Sequence, residues 1–449
     1  MTAPASVLHP ALAPSMGELA ARLRSGEISA QALAEAALEN ARHDAYRTLD
    51  PELLRAQAAA ADAAFAAHRD LGPLQGLPVS VKDLFGVPGL PVFAGSSARL
   101  PRRFERPGPL VTRVLGQLAL VVGKTHTVQF AFGGIGTNPH HATPGNPTVP
   151  GHAPGGSSAG AGVSLAEGSA LLALGTDTAG SVRIPAAWTG QCALKTTKGR
   201  WSTDGIVPLS TSLDTPGLLA RSVADLTYGF RALDPAPAPI TAPAPAALHL
   251  ARATGLFRSE LDAGIDAALD TALEKLRGAG ARVSEASLPG ADEAFALFRQ
   301  GGPVSAELKA FLAAELPAHL EALDPNVRTR IDDGAGISAE EYLHRLRQLR
   351  ELAAGADAAL RGTPLLVTPT TANGPPTLKA LADAAVYRRE NLRCLRNTGV
   401  VSYLGLSALT LPAGRDAVGR PVGLQLIGRA GDEERLLGAA ATVEAVLRD

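Results

Sequence analysis

Two glycine-rich serine loops in series constrain this chain more than any other feature. Gly155-Gly156-Ser157-Ser158-Ala159-Gly160 forms the first, and Gly175-Thr176-Asp177-Thr178-Ala179-Gly180-Ser181-Val182-Arg183-Ile184-Pro185 the second. Between them lie a helix-length segment, Ser158 to Ala166, and a short apolar segment, Ala170 to Leu174. Glycine permits positive φ and lets another molecule come close to main-chain N–H groups. Such loops therefore suit a place where peptide donors face a developing negative charge. A single loop of this kind reads equally well as a structural turn or as a phosphate cradle at a helix start. Two in succession are harder to assign that way.

Upstream, Leu77 to Val81 reads as a short buried strand, with Lys82-Asp83 at its carboxyl end, where open α/β sheets tend to carry their chemistry. Lysine is scarce, at positions 82, 124, 195, 198, 275, 309 and 379 only, so one that closes an apolar run is not generic surface charge. Gly156 to Gly160 also fits a G-x-S-x-G elbow centred on Ser158. That template needs a strand directly before the serine, and Pro150-Gly151-His152-Ala153-Pro154 stands there instead. No Ser-x-x-Lys occurs in the chain.

Gly-Gly-Ser-Ser at 155–158, Gly-Thr-Asp-Thr-Ala-Gly-Ser-Val-Arg-Ile-Pro at 175–185 and Val81-Lys82-Asp83 resemble the amidase signature family of Ser-Ser-Lys hydrolases. The 24 positions between Ser157 and Ser181 (181 − 157) match that pattern, and Gly414 to Ala430 is similar to the family's C-terminal signature. The resemblance implies that Ser181 is the nucleophile and that the N–H groups of Thr178, Ala179, Gly180 and Ser181 form the oxyanion hole. It also implies that Ser157, preceded by a cis peptide, relays the proton to a neutral Lys82. Asp83 bears on that role, because a carboxylate turned toward Lys82 would keep the amine charged. Phe132, Gly133, Gly134 and Ser158 are expected at the substrate, with a plain helix N-cap the alternative for Ser158. Arg183 and Lys195 read as buried structural partners. The chain departs from the family pattern at Ala179, where glycine is usual, at Ala193 and Thr196, and at Gln129, where many members have glutamate.

A hydrophobic fraction of 46% over 449 residues is ample for one large core. The net charge of −1 supplies no basic surface to hold nucleic acid or anionic lipid, which points to a small, roughly neutral substrate. Cys192 and Cys394 stand far apart in apolar surroundings and suggest neither disulfide nor zinc site, so a reducing, cytoplasmic setting is expected. His140, His141 and His152 share a loop, but their spacing fits no standard metal pattern. No cofactor or metal is called for, no apolar run reaches the ~18 residues of a membrane helix, and a homodimer is left open.

The expected fold is one large α/β domain over 1–449, with a mixed, mostly parallel twisted sheet covered by helices on both faces. Within it, 1–70 reads as a helical layer, 71–230 as the catalytic core, 231–380 as a variable helical region shaping the substrate pocket, and 381–449 as the rest of the core. Ser15-Met16-Gly17-Glu18 and Ser338-Ala339-Glu340-Glu341 read as capping boxes, and Asp50-Pro51 as an N-cap with proline at the first helical position. The Pro/Gly/His-rich stretch from Gly136 to Pro154 reads as a loop at the mouth of the site. Residues 292–333 carry no readable motif. Three functions are consistent with this: a stand-alone amidase for small amides, with ester or carbamate cleavage by the same chemistry; the glutamine-hydrolysing subunit of a tRNA-dependent amidotransferase; and a non-catalytic binding protein on the same fold.

Overall fold

The computed structural model describes residues 9–334 and 336–448. Its strands are β1 (Tyr46–Leu49), β2 (Pro78–Lys82), β3 (Leu120–Thr125), β4 (Leu172–Asp177), β5 (Cys192–Lys195), β6 (Thr215–Ala220), β7 (His249–Ala253), β8 (Arg282–Ala286), β9 (Leu365–Pro369), β10 (Ser407–Arg415) and β11 (Pro421–Gly428). They form one 11-stranded sheet in the order β1-β3-β2-β4-β6-β5-β10-β11-β9-β7-β8. The sheet is single and mixed, as expected. Parallel pairing is concentrated in two flanks, β3-β2-β4 and β9-β7-β8, while the strands from β4 to β9 pair antiparallel. Among the described residues only β10 and β11 are joined by a short return, which needs no crossover helix.

Side-chain alternation assigns the two faces. Val79 and Val81 of β2, Leu172 and Leu174 of β4, and Leu409 and Leu411 of β10 join one long apolar cluster. Helices α1 (Met16–Arg24), α2 (Ala30–Asn40), α3 (Pro51–Ala66) and α4 (Pro109–Gly116) contribute to that cluster. Ser15 and Glu18 close a capping box at α1, and Asp50 accepts from the Leu53 N–H at α3, each cap contributing about 1 kcal/mol. Ala173 of β4 and Ala193 of β5 point the other way, against α5 (Ala159–Ala166) and α6 (Arg183–Thr189). These small side chains let the two helices lie close on the sheet. Helices α7 (Val223–Leu233) and α8 (Ala263–Gly278) return to the first face.

A second apolar cluster is built around α9 (Ala291–Arg299), α10 (Val304–Glu315), α11 (Pro317–Glu321), α12 (Pro325–Gly334) and α13 (Ala339–Ala359). The motif-free stretch 292–333 is thus helical. Helix α14 (Ala384–Tyr403) runs buried between this cluster and α6, and α15 (Glu433–Arg448) closes the first face.

Candidate active site

The topology gathers four strand ends. Because β2 and β4 are parallel, Lys82 and Asp177 end side by side, and the antiparallel β6 begins beside them, where the Thr215 hydroxyl donates to the Asp177 carbonyl at 2.8 Å. β5, antiparallel to β6, brings Lys195 to the same end.

Lys82 is fully buried, and its Nζ lies 2.7 Å from Ser157 Oγ and 2.8 Å from Thr176 Oγ1. Burial pushes its amine down to about 7, opposed by the charges of Asp214 and Asp177. Asp83, next in sequence, turns away. Its carboxylate pairs with Lys124 Nζ at 3.0 Å and accepts from the Phe93 N–H, so Lys82 is left without an ion-pair partner among the described residues.

The peptide between Gly156 and Ser157 is cis, as the family resemblance implies. The segment is pinned from both sides: the Gly156 N–H donates to the Gly134 carbonyl at 2.8 Å, and the Ser158 N–H donates to the Ser181 carbonyl at 3.2 Å. The second bond ties the two serine loops together. Ser158 Oγ donates to the Thr176 carbonyl at 3.4 Å and makes no side-chain cap bond to α5.

Asp177 shapes the second loop. Its carboxylate receives the Gly180 N–H at 2.7 Å and the Arg183 guanidinium at 2.8 and 3.0 Å. Burial alone would raise this carboxyl, but Arg183 and Lys195 bring it below its ordinary value. Arg183 also reaches Gln425, the Thr398 carbonyl and Ser402, so it is a buried structural partner, as expected. Lys195 donates to the carbonyls of Thr196 and Leu406.

Two positions in this loop differ from what motif matching implies. The N–H of Gly180 is committed to Asp177, so Thr178, Ala179 and Ser181, which line a cavity of about 400 Å³, are the ones that present their side to it. Gly180 supplies geometry instead: its φ is +131°, and a Cβ there would lie 2.1 Å from Thr398 Oγ1. Ala179 stays outside the left-handed region, so alanine in place of the usual glycine adds no left-handed strain to the turn, and its carbonyl accepts from Thr398 Oγ1 at 2.7 Å.

Phe132 and Gly133 line the cavity beside Ser181. Gly134 and Ser158 stand behind its wall, the former donating its N–H to Asn391 Oδ1 at 2.8 Å. The 136–154 loop does not line the cavity, contrary to its reading as the mouth. Asn138 fastens it to the carbonyls of Gly95 and Thr127, and Asn146 to those of Ala153 and Trp188. The cavity is walled instead by α9, α10, α12 and α14.

Several residues escaped sequence reading. Thr176 holds Lys82, and Asp214 accepts from Thr178 Oγ1 at 2.5 Å and from the N–H groups of Leu209 and Ser210. Thr176 belongs to the 175–185 motif but carries no chemical signal there, and Asp214 lies outside every motif. Gln129 accepts from the Asp324 N–H at 2.8 Å and donates to the Ala322 carbonyl and to Ser96 Oγ. A glutamate there could accept but not donate.

A family model described as Amidase matches residues 27–437. The chain is 49% identical over 443 residues to the 2-amino-5-chloromuconic acid deaminase of Comamonas testosteroni, covering 96% of each. It is 32% identical over 469 residues to a chain of the glutamyl-tRNA(Gln) amidotransferase of Synechococcus sp. (strain CC9605), covering 94% of each. Among solved structures, one described as a crystal structure of amidase superposes with a TM-score of 0.87 at 30% identity, covering 96% of this chain and 99% of that one.

Proposed function

Since the chain belongs to the amidase family and is an amide-hydrolysing enzyme, we propose that it cleaves the C–N bond of a small-molecule amide through an acyl-enzyme on Ser181. A serine hydroxyl is a weak nucleophile until a base takes its proton. In this reading the neutral amine of Lys82 accepts the Ser157 proton while its own N–H donates to Thr176, and Ser157 takes the proton of Ser181 as Oγ attacks the carbonyl carbon. The oxyanion is met by the N–H groups of Thr178, Ala179 and Ser181. Collapse breaks the C–N bond, and the proton returns through Ser157 to the leaving nitrogen. Water, activated by the same relay, then releases the acid.

The observation that carries this reading is the fully buried Lys82, with Nζ 2.7 Å from Ser157 Oγ and no carboxylate bonded to it. A charged lysine would need such a carboxylate; a neutral one needs only the two hydroxyls. The name of the 49% identical relative, a deaminase, supports ammonia as the leaving group. The same acyl chemistry would accept esters and carbamates. The amidotransferase reading rests on a more distant likeness, at 32% identity, and a binding-only role would leave the relay without a purpose. Ammonia release from primary amides by the purified chain alone tests the proposal. Turnover only on addition of partner subunits would favour the amidotransferase reading, and none under either condition would refute both.

A further inference from the structure

The wall of the cavity is charged in one sense only. Arg299, Arg330 and Arg388 line it together with Ser181, and no aspartate or glutamate does so among the described residues. Arg299 and Arg388 are exposed and stand toward solvent, while Arg330, on α12, is half-buried. None of the three enters an ion pair among the described residues.

Arg330 is held differently from Arg183 and Arg200. Arg183 is neutralised by Asp177 and Arg200 by Asp234, Glu433 and Glu434. The Arg330 guanidinium instead lies over the Phe132 ring, 3.9 Å from its centroid, and gives one N–H from Nη1 to the Phe132 carbonyl at 2.7 Å. These contacts fix its orientation without cancelling its charge. Asp324, whose charge reaches Arg330, uses its carboxylate on the N–H groups of Asn326 and Val327 at the start of α12. A guanidinium has five N–H donors, so enough of the fork remains for a bidentate carboxylate. Phe132, which holds it, belongs to the same wall as Ser181.

We propose that the acyl part of the substrate ends in a carboxylate and that Arg330 anchors it in the cavity, with Arg299 and Arg388 drawing the anion in from solvent. This rests on the amide-hydrolysis reading above. It replaces the neutral substrate suggested by overall composition, because a net charge of −1 averages over a surface and says nothing of one cavity.

The test pairs ω-amido acids, from malonamate to adipamate, with neutral amides of the same chain length. The wild-type chain should favour the best amido acid over its neutral counterpart in kcat/KM by at least about tenfold. In R330Q that ratio should fall on the order of ten- to a hundredfold, chiefly through KM, as expected for loss of one charge-assisted contact, and R330K should restore part of it. Equal kcat/KM for both members in the wild type, or a ratio unchanged in R330Q, overturns the proposal. The wild-type comparison decides even where R330Q fails to fold. Calorimetric binding of succinate and adipate to the wild type reads the anion site without turnover. Binding weakened in R330Q supports the anchor even if no amide is cleaved, and absence of binding by the wild type refutes it while leaving hydrolysis to be judged on the neutral amides.

Discussion

Lowering the pH should silence this enzyme by protonating one buried amine. Lys82 sits near 7 because burial withdraws water from its ammonium form, with Asp214 and Asp177 only partly restoring the charge. At that value about half the molecules carry a neutral amine at pH 7. An ordinary lysine, near 10.4, would leave only about one in 2,500 in that form. The base works when neutral, so activity is present above the folded-state value and is lost as pH falls through it. kcat/KM should therefore drop about tenfold per unit below 7, to roughly 1% of its plateau at pH 5. The assay is ammonia release from a neutral primary amide between pH 5 and 9, with activity regained on return to pH 8 to exclude unfolding. A profile flat to pH 5, or an acid limb near 10, would refute a neutral lysine base.

Neighbouring packing makes two further outcomes measurable. Gly180→Ala should lower kcat sharply, since the added Cβ would meet Thr398 Oγ1 at 2.1 Å and that hydroxyl is itself held by the Ala179 carbonyl; wild-type turnover would contradict this reading of the turn. Asp83→Asn strands the fully buried Lys124 ammonium, which should cost roughly 3–5 kcal/mol in denaturant unfolding, and a loss under 1 kcal/mol would mean that the pair carries no charge.

The elements legible in the sequence are those with local signals. The caps at Ser15, Asp50 and Ser338 mark the starts of α1, α3 and α13, and Lys82, Ser157 and Ser181 stand in short motifs whose order along the chain reflects the sheet. What stayed hidden depends on distant partners. Asp83 faces away from Lys82 because Lys124, 41 positions on, claims it. Helix α14 carries buried Asn391, Arg396, Asn397, Thr398 and Ser402, so it lacks the one apolar stripe that betrays a surface helix. β6 carries no motif of its own within the 71–230 core, and the short edge strand β1 falls within 1–70, which reads as a helical layer. The cationic wall was invisible for the same reason: Arg299, Arg330 and Arg388 come from three helices, two of them in the stretch without a motif.

The most direct test of a Ser181 acyl-enzyme is to quench the enzyme during turnover of a slowly deacylating ester and find the acyl group by peptide mass analysis. One acyl adduct is predicted on the peptide containing Ser181, abolished in Ser181→Ala and strongly slowed in Lys82→Ala. An adduct on Ser157 or Ser158, or undiminished acylation without Lys82, would contradict it.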